Sequence, residues 1–112
     1  MEVWRKSIDL VTDIYGLTKN FPQEERYSLV AQINRAAISV PANIAEGWGM
    51  GSTKEYIQFL RISRGSLTEL ETHLIIAQRL KFISIQTLED LQKDIEFIGK
   101  MLNRLMKSLQ NK

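Results

Sequence analysis

LEDLQKDIEFIGKMLNRLMKSL, residues 88–109, decides the fold. Its branched aliphatics fall at Leu88, Leu91, Ile95, Ile98, Leu102, Leu105 and Leu109, separated alternately by three and four residues. That spacing lays a continuous apolar seam along one side of a helix and has no meaning in a strand, where the period is two. Charge follows the same reading. Glu89, Asp90, Asp94 and Glu96 lie toward the start and Lys100, Arg104, Lys107 and Lys112 toward the end, the arrangement that complements a helix macrodipole. Ser84 is placed to cap a helix spanning about 85–110.

Working backward, residues 53–80 carry a second seam: Tyr56, Leu60, Ser63, Leu67, Leu70, Leu74 and Ala77, again four and three apart. Residues 3–19 form a third helical segment, with Trp4, Ile8, Val11 and Tyr15 on one side and Val3, Leu10, Ile14 and Leu17 beside them. Asn20-Phe-Pro-Gln23 makes a corner, and Pro22 suits the first turn of a fourth segment over about 23–46. Strand-like alternation is absent.

That fourth segment is apolar on two sides. At 100° per residue, Leu29, Val30, Ile33, Ala36, Ala37, Val40 and Ile44 cover one arc. Tyr27, Ala31, Ile38, Ala42 and Ala45 cover a second, and only Glu25, Ser28, Gln32, Arg35, Ser39, Asn43 and Glu46 form a polar sector. A helix that buries two faces belongs either to a kinked bundle member, with Pro41 rotating the later residues, or to an oligomer. The apolar part before Pro41 favours the oligomer, with Tyr27, Ala31, Ile38, Ala42 and Trp48 as contact residues.

Burying a seam Leu or Ile contributes about 1.5–3 kcal/mol, while fixing one backbone residue costs about 1–2 kcal/mol. No single helix is stable alone. Short connections make neighbours antiparallel, so the expectation is an all-α, up-down-up-down antiparallel four-helix bundle in one domain, residues 1–112.

Composition narrows the function. There are no cysteines, which removes disulfides and thiolate chemistry and suits a reducing, cytoplasmic location. The N-terminal residues scatter charge among apolar positions and form neither a signal peptide nor a membrane span. Fifteen Lys and Arg against thirteen Asp and Glu give a net charge of +2, basic but far from a dedicated nucleic-acid binder.

The glycines of IAEGWGMGSTKEY, residues 44–56, invite comparison with a phosphate-binding loop. A Walker loop needs Lys directly after the last Gly and a strand before it. Here Ser52 and Thr53 separate Gly51 from Lys54, and a helix precedes. A Rossmann turn fails for want of a βαβ unit. The turn reads instead as a junction: Gly47, in a left-handed conformation, ends one helix, Gly49 and Gly51 make the corner, and Ser52 with Glu55 forms a capping box. Trp48 and Met50 exceed what a turn needs, so a neighbouring helix or subunit is expected to clasp them.

His73 is the only histidine, four residues after Glu69, and neither Glu-x-x-His motif of a di-iron bundle occurs. No metal, cofactor or nucleophile–base constellation emerges, and enzyme activity is not expected. Gly65 lies in a helix, where it costs about 1 kcal/mol relative to Ala, so something is expected to pack closely against it. Beside it, Arg64 is a candidate partner for Glu46 in an ion pair between helices. Finally, Lys54, Arg61, Arg64 and Arg79, flanked by Thr68 and Thr72, follow one face of the third helix over about 37 Å. Such a stripe can track the phosphates of RNA or DNA. Ile57 and Ile75 interrupt it, which suits a protein contact equally, and an ordinary solvated face stands beside both readings.

INRAAISVPANIAEGWG (33–49) and FLRISRGSLTELETHL (59–74) carry a resemblance. The chain resembles the four-helix-bundle family that includes the protein encoded by the intervening sequence of bacterial 23S rRNA genes. The resemblance extends from VWRKSIDLVTDIYGLTKNFPQEERYSL through the C-terminal heptads, with family segments at Arg35–Ala37, Ser39–Gly47 and Arg64–Glu71. Met50 departs from it, standing where a basic residue is expected. The resemblance implies an antiparallel bundle assembled as a homopentamer, no enzyme, and kinship with accessory proteins of diversity-generating retroelements, which bind nucleic acid and a reverse transcriptase. Two functions follow from it and from the residues: an oligomeric binder of RNA or DNA, or a scaffold for a protein partner.

Overall fold

A computed structural model describes residues 1–112. It contains α1 (Glu2–Thr18), a 3-10 turn (Gln23–Glu25), α2 (Leu29–Trp48), α3 (Thr53–Arg79) and α4 (Ile85–Gln110), and no strand. Each helix packs on the next, and α4 closes against α1. The result is an elongated all-α bundle of 47 × 25 × 18 Å. No helix is long and apolar enough to cross a membrane.

All seven residues of the α3 seam are buried. In α4 six of the seven are, but Met106 replaces Leu105 as the buried residue of the penultimate turn. The reason is arithmetic. Eighteen residues separate Leu88 from Met106, five full turns at 3.6 residues each, whereas a strict 3.5 repeat drifts off the axis of an unsupercoiled helix. Leu105 is left partly buried at the edge of the core.

Of the two lines expected on α1, the one that holds Val3, Leu10 and Ile14 faces the core, and the Trp4 line does not. Val3, Ser7, Leu10, Ile14 and Thr18 are buried, while Trp4 and Tyr15 are exposed. Two polar residues hide this line. The Ser7 hydroxyl donates to the Trp4 carbonyl at 2.7 Å, and that of Thr18 donates to Asn34 Oδ1 at 3.0 Å. Satisfied internally, both are buried at little cost.

The start of α2 also differs. Pro22 caps the 3-10 turn, the chain breaks at Ser28 (φ −119°, ψ −103°), and the helix begins at Leu29 rather than 23. Phe21, buried and 5.5 Å from Phe82 ring to ring, anchors this corner to the α3–α4 turn. Tyr27 therefore lies outside α2 and is 88% exposed.

The α2–α3 junction is corrected too. Gly47 is helical, α2 continues to Trp48, Gly49 has φ −82°, and the left-handed residue is Gly51 at φ +82°. Gly47 is needed for another reason. A Cβ there would lie 2.8 Å from Phe59 Cβ and 3.2 Å from the Tyr56 carbonyl oxygen, so α2 and α3 touch backbone to side chain. Ser52 caps α3, accepting from the Glu55 N–H at 3.2 Å while its hydroxyl donates to the Glu55 carboxylate at 2.9 Å. Ser84 caps α4 by accepting from the Thr87 N–H at 3.0 Å.

Candidate nucleic-acid interface

Because the α3 seam faces inward, positions seven residues apart on its opposite side face water. Lys54, Arg61, Arg64 and Arg79 are all exposed. No carboxylate lies within 4 Å of any of them; the ion pairs present are Glu69–His73 at 3.2 Å and Glu96–Lys100 at 3.0 Å, each within one helix. Thr68 and Thr72 along the stripe donate their hydroxyls to the Arg64 and Thr68 carbonyls at 3.4 and 3.1 Å. The two isoleucines expected to interrupt it do not. Ile57 is buried and Ile75 packs against the core. Their apolar neighbours on the outer face of α3 are instead Ile62 and Ile76, both exposed.

The Glu46–Arg64 pair is not formed. Arg64 Nη1 donates to Asn103 Oδ1 at 2.9 Å, tying α3 to α4. Two residues on, the Ser66 hydroxyl meets Ser39 Oγ of α2 at 2.8 Å. Two positions differ by about 200° around a helix, so a residue facing α4 cannot also reach α2. Glu46 remains exposed on α2 without an ion-pair partner. Asn103 had no sequence signal beyond its place on the flank of the α4 seam.

Small polar residues of α2 and α3 meet beside this contact. Asn43 Nδ2 donates to Ser39 Oγ at 2.9 Å, and the buried Ser63 hydroxyl donates to the Val40 carbonyl at 2.9 Å. They form a satisfied polar seam between α2 and α3, and no buried side-chain polar atom lacks a partner. Gly65 is open: nothing lies within 4 Å of a Cβ built there, contrary to the close neighbour expected.

Of the five residues expected at a subunit contact, Ala31, Ile38 and Ala42 share the outer side of α2, with Ile38 44% exposed. Tyr27 and Trp48 lie at opposite ends of that helix and do not join them. Trp48 is 69% exposed and meets Tyr56 edge to face, ring centroids 6.0 Å apart. With Met1, Trp4, Ala45 and Leu109 it lines an apolar cleft of about 720 Å³ at that end of the bundle.

Two ionisable groups are perturbed. Burial pushes the Tyr56 phenol above its ordinary range. Asp94, in a groove between α1 and α4, is raised by burial first and then by Asp13 and Asp90, with Lys6 opposing. Neither lies on the stripe. No group of three or more His, Asp or Glu side chains is arranged to hold a metal ion.

The fold and its exposed side chains define an all-α bundle with cations of α3 that have no ion-pair partner. The chain belongs to the 23S rRNA-intervening sequence protein family, whose model matches residues 1–104. A crystal structure of a protein of unknown function from the S23 ribosomal protein family of Bacteroides thetaiotaomicron superposes with a TM-score of 0.87 at 28% identity, covering 94% of this chain and 95% of that one. No curated protein matches.

Proposed function

We propose that the protein is a non-catalytic homo-oligomeric bundle, a pentamer by family resemblance, that binds RNA or DNA in a reducing compartment such as the cytoplasm. One observation carries this reading: Lys54, Arg61, Arg64 and Arg79 are exposed along α3 with no carboxylate in reach. Unpaired cations are free to displace the counterions of a phosphate backbone, and an oligomer multiplies the effect. Ile57 and Ile75 turn inward and do not break the line, and Glu69 and Glu71 lie on α3 in the gap between Arg64 and Arg79. Assembly draws support from the outer side of α2, where Ile38 and Ala42 are exposed and Ala31 is only partly buried.

The test is titration of structured RNA and of duplex DNA at several salt concentrations. Binding weakens linearly in log salt, with a slope of about −0.9 per neutralised phosphate on duplex DNA. Arg61→Glu combined with Arg79→Glu abolishes it and leaves the oligomer intact by light scattering. Wild-type protein that shifts neither probe at low salt ends this reading.

A second reading, a scaffold for a protein partner, is favoured by Ile62 and Ile76, exposed beside the stripe. Their replacement by Ser then abolishes capture of the partner while salt has little effect.

A further inference from the structure

We propose that the corner between the end of α1 and the start of α2 is a nucleotide pocket, taking one unstacked base with its phosphate. The proposal rests on the nucleic-acid reading above and gives it a second, chemically different contact.

The pocket holds about 450 Å³, inside the roughly 300–1,000 Å³ range of small-molecule sites. Tyr15 from α1, Lys19 and Arg26 from the connecting segment, and Val30, Ala31 and Asn34 from α2 contribute to its walls. Each part suits a part of a nucleotide. Tyr15 is 44% exposed and its hydroxyl has no partner in the chain, so its ring is a free stacking surface. Lys19 and Arg26 have no carboxylate within 4 Å. Val30 and Ala31 of the first turn of α2 line the same space, and Ser28 gives that turn no side-chain cap, so the positive end of the helix dipole lies beside the pocket. At the rear wall the Thr18 hydroxyl donates to Asn34 Oδ1 at 3.0 Å. That bond fixes the amide and leaves Asn34 Nδ2, which makes no bond within the chain, to donate to a base edge.

Stacking ring, amide donor, two unpaired cations and an uncapped helix start converge on one cavity. A duplex cannot use it, because its bases are stacked and paired, whereas a single strand, a loop or a free nucleotide can. The pocket thereby adds a preference for unpaired nucleotides to the shape-blind attraction of the α3 stripe. Ala31 belongs both to its lining and to the outer side of α2, placing it at the margin of the proposed subunit contact.

The experiment uses the full chain and three probes: adenosine 5′-monophosphate, a short oligouridine strand and a duplex. The monophosphate is expected to shift the backbone amide resonances of the first turn of α2 and the ring resonances of Tyr15. Tyr15→Ala is expected to weaken oligouridine binding about tenfold, within the range of base–aromatic stacking, with no effect on duplex binding. Tyr15→Phe keeps the ring and the affinity. Lys19→Ala with Arg26→Ala flattens the single-strand salt slope by about 1.4, two contacts at 0.7 each. Monophosphate shifts without binding of any polymer leave the pocket as a free-nucleotide site and remove the nucleic-acid reading. Polymer binding lost in Arg61→Glu/Arg79→Glu but unchanged in Tyr15→Ala removes the pocket and leaves the stripe. Monophosphate shifts that map outside the pocket also overturn it.

Discussion

Between α2 and α3 the helices touch through Gly47, Ser39, Ser63 and Ser66, with every hydroxyl bonded across or along the seam. Between α1 and α4 they part around Lys6, Asp9, Asp13 and Asp94, which line a groove of about 250 Å³, with Lys6 Nζ 5.8 Å from the centre of the Phe97 ring. The difference shows what small residues do in a bundle. Without bulk at the contact, backbones approach closely enough that hydroxyls satisfy carbonyls and each other. With charged residues at the contact, a groove remains between the helices and three carboxylates share it with Lys6. One seam has little tolerance for added volume, and the other gathers three carboxylates around a single cation, Lys6.

The largest expected effect breaks the tight seam. Gly47→Leu forces a side chain into the 2.8 Å approach to Phe59 and is expected to destabilise the protein by about 3 kcal/mol, the upper end of ordinary overpacking. Urea unfolding measures it, and an unchanged midpoint would show that the two helices are not in close contact. Gly65 sharpens the contrast, since it lies in the same helix with nothing near it. Gly65→Ala is expected to raise stability by about 0.5–1 kcal/mol through backbone entropy alone. A loss, measured with the oligomeric state, would mean that a second subunit covers this face of α3.

The smallest effect tests the loose seam. Asp94 has its pKa raised in the folded state, so the native protein holds this proton more tightly than the unfolded chain. Its contribution is therefore fully present below the ordinary carboxylate pKa of about 3.8 and is lost as pH rises through the raised value. Asp94→Asn is expected to be more stable than wild type at neutral pH by a few tenths of a kcal/mol, a small figure because the group is largely solvent-screened. The advantage disappears on acidification. Parallel pH profiles for the two proteins would mean that neither burial nor the neighbouring carboxylates raise the Asp94 pKa in the folded state.

The comparison also explains how far the sequence could be read. The seams of α3 and α4 are long runs of Leu and Ile with helical spacing, and burial follows them except where the 3.5 repeat drifts, at Leu105 and Met106. Buried faces that include polar residues were harder. Ser7 and Thr18 look like surface positions until their bonds to Trp4 and Asn34 are known, so the sequence does not choose between the Val3 and Trp4 lines of α1. Phe21, whose docking on Phe82 anchors the corner before α2, has no local signature. At the candidate interface the outward face of α3 follows directly from its inward one. Which cation pairs with what does not, because the partner of Arg64 depends on a flank difference of two residues.

Both tryptophans of the chain, Trp4 and Trp48, line the same cleft beside Met1 and Leu109. Indole emission is thus a reporter for one end of the molecule. The corner holding Tyr15, Lys19 and Arg26 lies at the other end, out of its range. A spectral change on adding a nucleotide would signal a rearrangement transmitted along the helices or a change in assembly, while silence would be no argument against occupancy. Ligand titrations on this protein therefore need a label or a resonance at the α1–α2 corner.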